Sequence, residues 1–237
     1  NLLPIPTKTA LVNLSYANFN AALRDAKTIM SAGPTSIETI DSRVLNLAKG
    51  DIIWESIAEF FPEDNTDKNT SKTTHKKSVE GINLIEFSAD SDEELKASMQ
   101  PLLEILNSDT SVSHAYTIAW GDDVKKIWGM RKKAVGLLGN TQGEARPMAF
   151  VEDTAVPPEH LADFIVEFRA LLDSHNLQYG MFGHVDAGVL HVRPILDMKA
   201  PNDEKLVRTI TDQVVELTHK YGGLLWGEHG KGVRSEF

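Results

Sequence analysis

Two short stretches in the C-terminal part of the chain carry the residue types that hold metals, move protons and bind acids. The first is Gly183-His184-Val185-Asp186-Ala187-Gly188-Val189-Leu190-His191-Val192-Arg193-Pro194. Residues 179–185 and 189–195 are rich in β-branched and apolar side chains, and Asp186-Ala187-Gly188 between them supplies turn chemistry, so the stretch predicts a β-hairpin. With the loop centred on Ala187-Gly188, His184 faces His191, and directly opposed residues hold their Cβ atoms roughly 4.5–5.5 Å apart. Two imidazoles at that separation can grip one metal ion. The second stretch, Gly227-Glu228-His229-Gly230, fixes a carboxylate and an imidazole on a constrained backbone. Glu228 can complete a two-histidine, one-carboxylate set that leaves coordination positions open for a substrate. His229, if it binds no metal, is poised as a general base. The plainer alternatives are histidines satisfied by hydrogen bonds and a glycine-rich turn that is only a turn.

Arginines are the third component. Arg131 follows Trp128-Gly129-Met130 on a predicted helix, and Arg146 begins the strand expected after it. Taken alone, each reads as a surface ion pair. Arg193 is different, because strand alternation puts it on the same face as His191, two residues away. A site for an anionic acid needs at least one bidentate guanidinium.

Several elements must position these groups. Strands are predicted over 9–15, 35–40, 82–87, 114–119 and 148–151, and a short one over 224–226. Asn18 is a good N-cap for a helix to about residue 30. Ser91 with Glu94 forms a capping box for a helix to about residue 106. Short helices are expected over 43–47 and 54–60, and longer ones over 122–138, from Pro157-Pro158 to about 175, and over 202–221. Residues 62–78 are polar and suggest a surface excursion or mobile loop, and 139–143 a loop. Residues 9–119 and 146–226 both follow the order strand, helix, strand, strand, helix, strand. The expected fold is therefore α+β: two ferredoxin-like (split βαβ) halves, 1–120 and 146–237, bridged by 121–145, with antiparallel sheets and helices on one face of each.

Composition excludes several function classes. A formal net charge of −10 argues against a nucleic-acid partner, which needs a clustered positive surface. No apolar run approaches a transmembrane helix, and no signal peptide is visible. With no cysteine, a metal must sit on histidine and carboxylate ligands. A cytoplasmic setting fits, with attachment at the inner membrane face left open, as is a homo-oligomer. The chain begins at Asn1 without a methionine and ends just after its sharpest motif, so it reads as a piece of a longer protein.

Taken together, Gly183-His184 through Leu190-His191, Gly222-Gly223-Leu224-Leu225-Trp226-Gly227-Glu228-His229-Gly230 and Glu152-Asp153-Thr154-Ala155-Val156-Pro157 resemble the C-terminal domain of FAD-linked oxidases of the vanillyl-alcohol oxidase superfamily. These include D-lactate, glycolate and D-2-hydroxyglutarate dehydrogenases, and the long bacterial D-2-hydroxyglutarate type is the nearest in pattern. The resemblance spans essentially the whole chain. It implies a cap domain that covers the flavin and shapes the pocket for a small 2-hydroxy acid, which is oxidised to the 2-oxo acid by hydride transfer to FAD. It implies zinc or manganese on His184, His191 and Glu228, His229 as the proton-abstracting base, and Arg131 on the substrate carboxylate, with Arg193 beside it. Asp186 and Ala187 replace the family's usual Gly and Asp, Val189 replaces Asn, and Arg193 stands where Asn is frequent. No counterpart of a further substrate-binding Thr and Lys is found. The flavin-anchoring domain is expected outside this chain, as are any iron–sulfur segments, and the piece is expected to be inactive without them. Two other readings are a stand-alone metal-dependent hydrolase and a non-catalytic ligand-binding or oligomerisation module.

Overall fold

The computed structural model describes residues 5–61, 79–108, 115–138 and 144–229. The excursion expected over 62–78, the loop over 139–143 and the motif's last glycine, Gly230, lie outside them. Among the described residues the elements in chain order are β1 (Lys8–Tyr16), α1 (Phe19–Met30), β2 (Ser36–Asp41), α2 (Ser42–Lys49), β3 (Gly81–Ala89), α3 (Asp92–Ser108), β4 (Ala115–Trp120) and α4 (Asp122–Leu137). There follow β5 (Arg146–Pro147), β6 (Thr154–Ala155), α5 (Leu161–Ser174), β7 (Tyr179–His184), β8 (Val189–Leu196) and α6 (Pro201–Lys220). The local signals act as expected at several ends. Asn18 accepts the Asn20 N–H at the start of α1, Asp41 accepts the Val44 N–H at the start of α2, and Ser91 accepts the Glu94 N–H before α3.

The strands form one antiparallel sheet in the order β4-β1-β3-β2-β7-β8-β5, with β6 also paired to β8. Two separate sheets were expected. Pairing of β2 with β7, in the register Glu38↔His184, Thr39↔Gly183, Ile40↔Phe182, joins them into one. Helices on one face were also expected, yet both faces are covered. Along β1 alternate residues enter different cores: Ala10, Val12 and Leu14 belong to a cluster that also takes in residues of α1, α3, α5 and α6, whereas Leu11 belongs to one with residues of α2 and α4. A strand that is apolar on both sides needs cover on both, and β1 buries Ala10 through Leu14 without a break.

Three smaller expectations also change. Residues 148–151 form no strand; the pairing falls instead on Arg146–Pro147 and Thr154–Ala155. The helix expected over 54–60 is two 3-10 turns, Ile52–Ser56 and Ala58–Phe60. The expected strand over 224–226 contracts to one bridge between Leu224 and Ala155.

Candidate active site

The hairpin β7–β8 has a longer turn than its sequence suggests. Val185–Ala187 makes a single 3-10 turn, closed by Gly188 at φ 71°. A side chain at Gly188 would run into the Val156 carbonyl oxygen, so glycine is required there for space as well as for backbone sign. Phe182, and not His184, is therefore the partner of His191, and His184 pairs with Val189. The register is displaced by two residues from the expected one, which preserves the face of every side chain because strands alternate with period two. His184 and His191 become diagonal neighbours, with ring centroids 5.8 Å apart. Asp186 ties the turn to β2 by accepting the Ile37 N–H at 3.2 Å.

The second motif has no helix or strand of its own, so its order comes from hydrogen bonds to residues 153–155. Leu224 and Ala155 exchange two backbone bonds, and the Gly227 N–H donates to the Asp153 carbonyl at 2.6 Å. The Asp153 carboxylate then accepts the next two amides, Glu228 N–H at 2.9 Å and His229 N–H at 3.0 Å. Asp153 is buried and sits at φ 76°, a region that Asp tolerates better than most side chains. Both of its oxygens are occupied in orienting the two site residues.

These two pieces meet. The Oε1 atom of Glu228 lies 2.9 Å from His191 Nε2, 3.3 Å from His229 Nε2 and 3.4 Å from His184 Nε2. Three imidazoles converge on one carboxylate oxygen. Burial holds His191 below the ordinary imidazole pKa, against the opposing charge of Glu228. His184 is raised, first because Glu38 accepts its Nδ1–H at 3.0 Å. The donor set fits a divalent cation: nitrogen and carboxylate ligands suit zinc or manganese, and a cation at their focus lets the imidazoles be neutral lone-pair donors. Asp153, His191, Glu228 and His229 also offer ligand atoms all within 4.8 Å of one another. Asp153 is the weaker candidate of that group, because its oxygens already hold two amides. The Nδ1 atom of His191 is buried with no hydrogen-bond partner among the described residues.

Beside this cluster lies a pair of arginines on one aromatic ring. The Arg131 guanidinium sits 4.9 Å above the Phe182 ring and that of Arg193 5.6 Å from it. Each is steadied by a glutamate at its Nε edge, Arg131 by Glu38 and Arg193 by Glu152, both at 2.6 Å. An Nε contact leaves the two terminal nitrogens of each fork directed elsewhere, the geometry needed to take a carboxylate. Arg146 is on β5, paired with Leu196 at the sheet edge, and exposed.

Reading the sequence missed Glu38, Glu152, Asp153 and Phe182 as parts of this site. Glu38 left one trace, an acidic residue between Ile37 and Ile40 in a stretch that reads as a strand. A buried charge demands partners, but the partners were invisible without the β2–β7 pairing. Asp153 stood in a stretch that resembles the family's, but its role there left no trace, since that role depends on a contact across 75 residues.

Comparison with known proteins gives this geometry a family. The family model for FAD linked oxidases, C-terminal domain, matches residues 5–236. The chain is 56% identical over 239 residues to a D-2-hydroxyglutarate dehydrogenase of Pseudomonas putida, covering 100% of this chain and 23% of that protein. It is 50% identical over 238 residues to a D-2-hydroxyglutarate dehydrogenase of Escherichia coli, covering 98% of this chain and 22% of that one. The chain thus spans about a quarter of these relatives' length. Among solved structures, 4-ethylphenol oxidase from Gulosibacter chungangensis superposes with a TM-score of 0.62 at 10% identity, over 96% of this chain and 47% of that one. An alkyldihydroxyacetonephosphate synthase superposes at 0.64 and 13% identity, over 94% and 41%. At such identities the superpositions speak for the fold alone. The chain belongs to the FAD-linked oxidase C-terminal domain family.

Proposed function

We propose that this chain is the substrate-binding and metal-binding cap of a flavin-dependent dehydrogenase that oxidises a D-2-hydroxy acid, and specifically one with two carboxylates. The observation that carries the reading is the convergence of His184, His191 and His229 on Glu228, beside the Arg131–Phe182–Arg193 group. The name shared by the relatives at 50–56% identity points the same way.

The chain's own residues divide the work. Arg131 binds one carboxylate of the acid through the terminal nitrogens of its fork, and Arg193 reaches the other. Phe182 forms an apolar floor that keeps water from the guanidinium faces. His229 is about half exposed and fixed by its backbone N–H to Asp153. Its Nε2 takes the proton of the substrate hydroxyl. His184, His191 and Glu228 would hold zinc or manganese, which supplies Lewis acidity that lowers the hydroxyl pKa. FAD, held mainly by a domain outside this chain, supplies the hydride acceptor. The two halves are further read as a duplicated split βαβ unit. The first half's order β4-β1-β3-β2 supports this, as do the β7–β8 and β8–β6 ladders and the Leu224 bridge to β6 in the second half.

The test is anaerobic flavin reduction in the full-length enzyme. D-2-hydroxyglutarate is expected to bleach the flavin, and D-lactate, with one carboxylate, to do so more weakly. His229→Asn is expected to slow the reduction by about 10²–10⁴-fold. Failure of every 2-hydroxy acid to reduce the flavin, or an unchanged rate in His229→Asn, sinks the reading.

A further inference from the structure

Glu38 lies on β2, in the half of the molecule that carries neither chemical motif, and it is almost completely buried, at 2% exposure. A carboxylate removed from water is costly unless both oxygens are well partnered. Here they are. One oxygen, Oε1, meets Arg131 Nε at 2.6 Å and the other, Oε2, meets His184 Nδ1 at 3.0 Å. The contact to His184 is not incidental to side-chain reach, because Glu38 and His184 are directly opposed residues of the β2–β7 ladder. Opposed residues on one face keep their Cβ atoms within about 5.5 Å, so the register brings the carboxylate to the ring. The neighbouring Asp186–Ile37 hydrogen bond helps to hold the turn against β2.

We propose that Glu38 is a positioning residue that sets the orientation and tautomer of His184; this rests on the functional reading above. Arg131 anchors the carboxylate, and the carboxylate takes the Nδ1–H of His184. A neutral imidazole that donates from Nδ1 presents its lone pair at Nε2, which is the nitrogen turned toward Glu228 Oε1 at 3.4 Å. A carboxylate behind an imidazole also makes it a better ligand. The N-terminal half thereby completes a site whose named ligands all belong to the C-terminal half. An apolar or amide side chain at position 38 could fill the space at less desolvation cost, but the first accepts from neither neighbour and the second has one acceptor oxygen for two donors, with its NH2 turned toward one of them.

The experiment measures zinc and manganese affinity of the full-length enzyme, stripped of metal, by competition with a chelating dye, with the thermal midpoint as control. Glu38→Gln, nearly isosteric, is expected to bind either metal about 10- to 100-fold more weakly. Glu38→Asp keeps the charge beside Arg131 but withdraws the carboxylate by one methylene, and it is expected to weaken binding as well. If Glu38 acted through charge alone, Asp would match the wild type. In a His184→Ala background, adding Glu38→Gln is expected to change affinity by no more than about twofold. A folded Glu38→Gln or Glu38→Asp enzyme with wild-type affinity overturns the assignment, as does a loss that persists undiminished without His184. A wild-type enzyme that takes up neither metal overturns the metal-site reading and this assignment with it. Wild-type uptake matched by Glu38→Gln overturns the assignment alone.

Discussion

A histidine on a strand keeps rotational freedom in its ring until the second nitrogen is engaged, and a loop residue keeps backbone freedom until its amide is. Glu38 answers the first need for His184, and Asp153 the second for Glu228 and His229. Replacing Asp153 with Ala leaves two neighbouring amides without their acceptor. Glu228 and His229 are both exposed, so water takes up part of the loss; the expected cost is about 0.5–1.5 kcal/mol of stability per lost hydrogen bond, with a fall in kcat larger than the drop in thermal midpoint alone explains. Asp153→Asn, which can accept only one of the two amides, is expected to fall between, as melting curves and steady-state rates can check. A second residue, Asp41, gives a pH signature away from the chemistry. Burial pushes its carboxyl up to about 6 from 3.8, against hydrogen bonds from Val44 and Met181 and the Arg169 charge. Because its pKa is raised on folding, the folded state holds a proton the unfolded chain has lost between those two values. Its contribution is fully present below about 4 and is lost as pH rises through about 6. Denaturant titrations across pH 4–7 are expected to show wild-type stability falling relative to Asp41→Asn by on the order of 2–3 kcal/mol.

At the scale of the element, the hairpin shows how a wrong register can still give the right face. A two-residue turn on Ala187-Gly188 would have opposed His184 to His191. The 3-10 turn Val185–Ala187 consumes more chain and opposes Phe182 to His191 instead. Both arrangements put the two histidines and Arg193 on one side of the sheet, since the displacement is even. A displacement by one would have placed His191 in the core beneath α5 and the site nowhere. The turn depends on Gly188, whose positive φ and contact with the Val156 backbone admit no Cβ. Gly188→Ala is expected to cost about 2–4 kcal/mol, from backbone strain plus overpacking. It should also weaken substrate binding, and thermal melts alongside KM values measure both. Several α-helices were legible because they carry their own punctuation, as Asn18 and Ser91 illustrate. The two-residue strands β5 and β6 were not, because pairing that short is decided by the partner strand and leaves no period to read.

For the whole molecule, one ladder decides the architecture. Without β2–β7 the chain would be two domains; with it, a continuous sheet runs from β4 to β5 and both faces carry cores that mix residues of the two halves. Phe182 of β7 packs into the same cluster as Leu11 of β1 and Ile127 of α4. Unfolding is therefore expected to be a single cooperative transition. Tryptophan fluorescence, three of whose four sources, Trp54, Trp120 and Trp128, precede the second half, should follow the same denaturation curve as the far-UV circular dichroism of the whole chain. Two separated midpoints would show the halves to be independent. Among the described residues no helix is long and apolar enough to cross a membrane.

The sequence by itself determined the residue chemistry and most of the elements. It showed which side chains can bind metal or move a proton, that this chain supplies no thiolate, and where several helices start, because those properties are local and written in type and spacing. Its motifs also carried the family, through the paired histidines and the Glu-His turn. Only the tertiary structure decided that the halves share a sheet, that helices cover both faces, and that Glu38 and Asp153 stand behind the site. Those facts depend on contacts between residues 75 to 146 positions apart, and nothing in the spacing of a single chain marks which distant strand a buried glutamate will face.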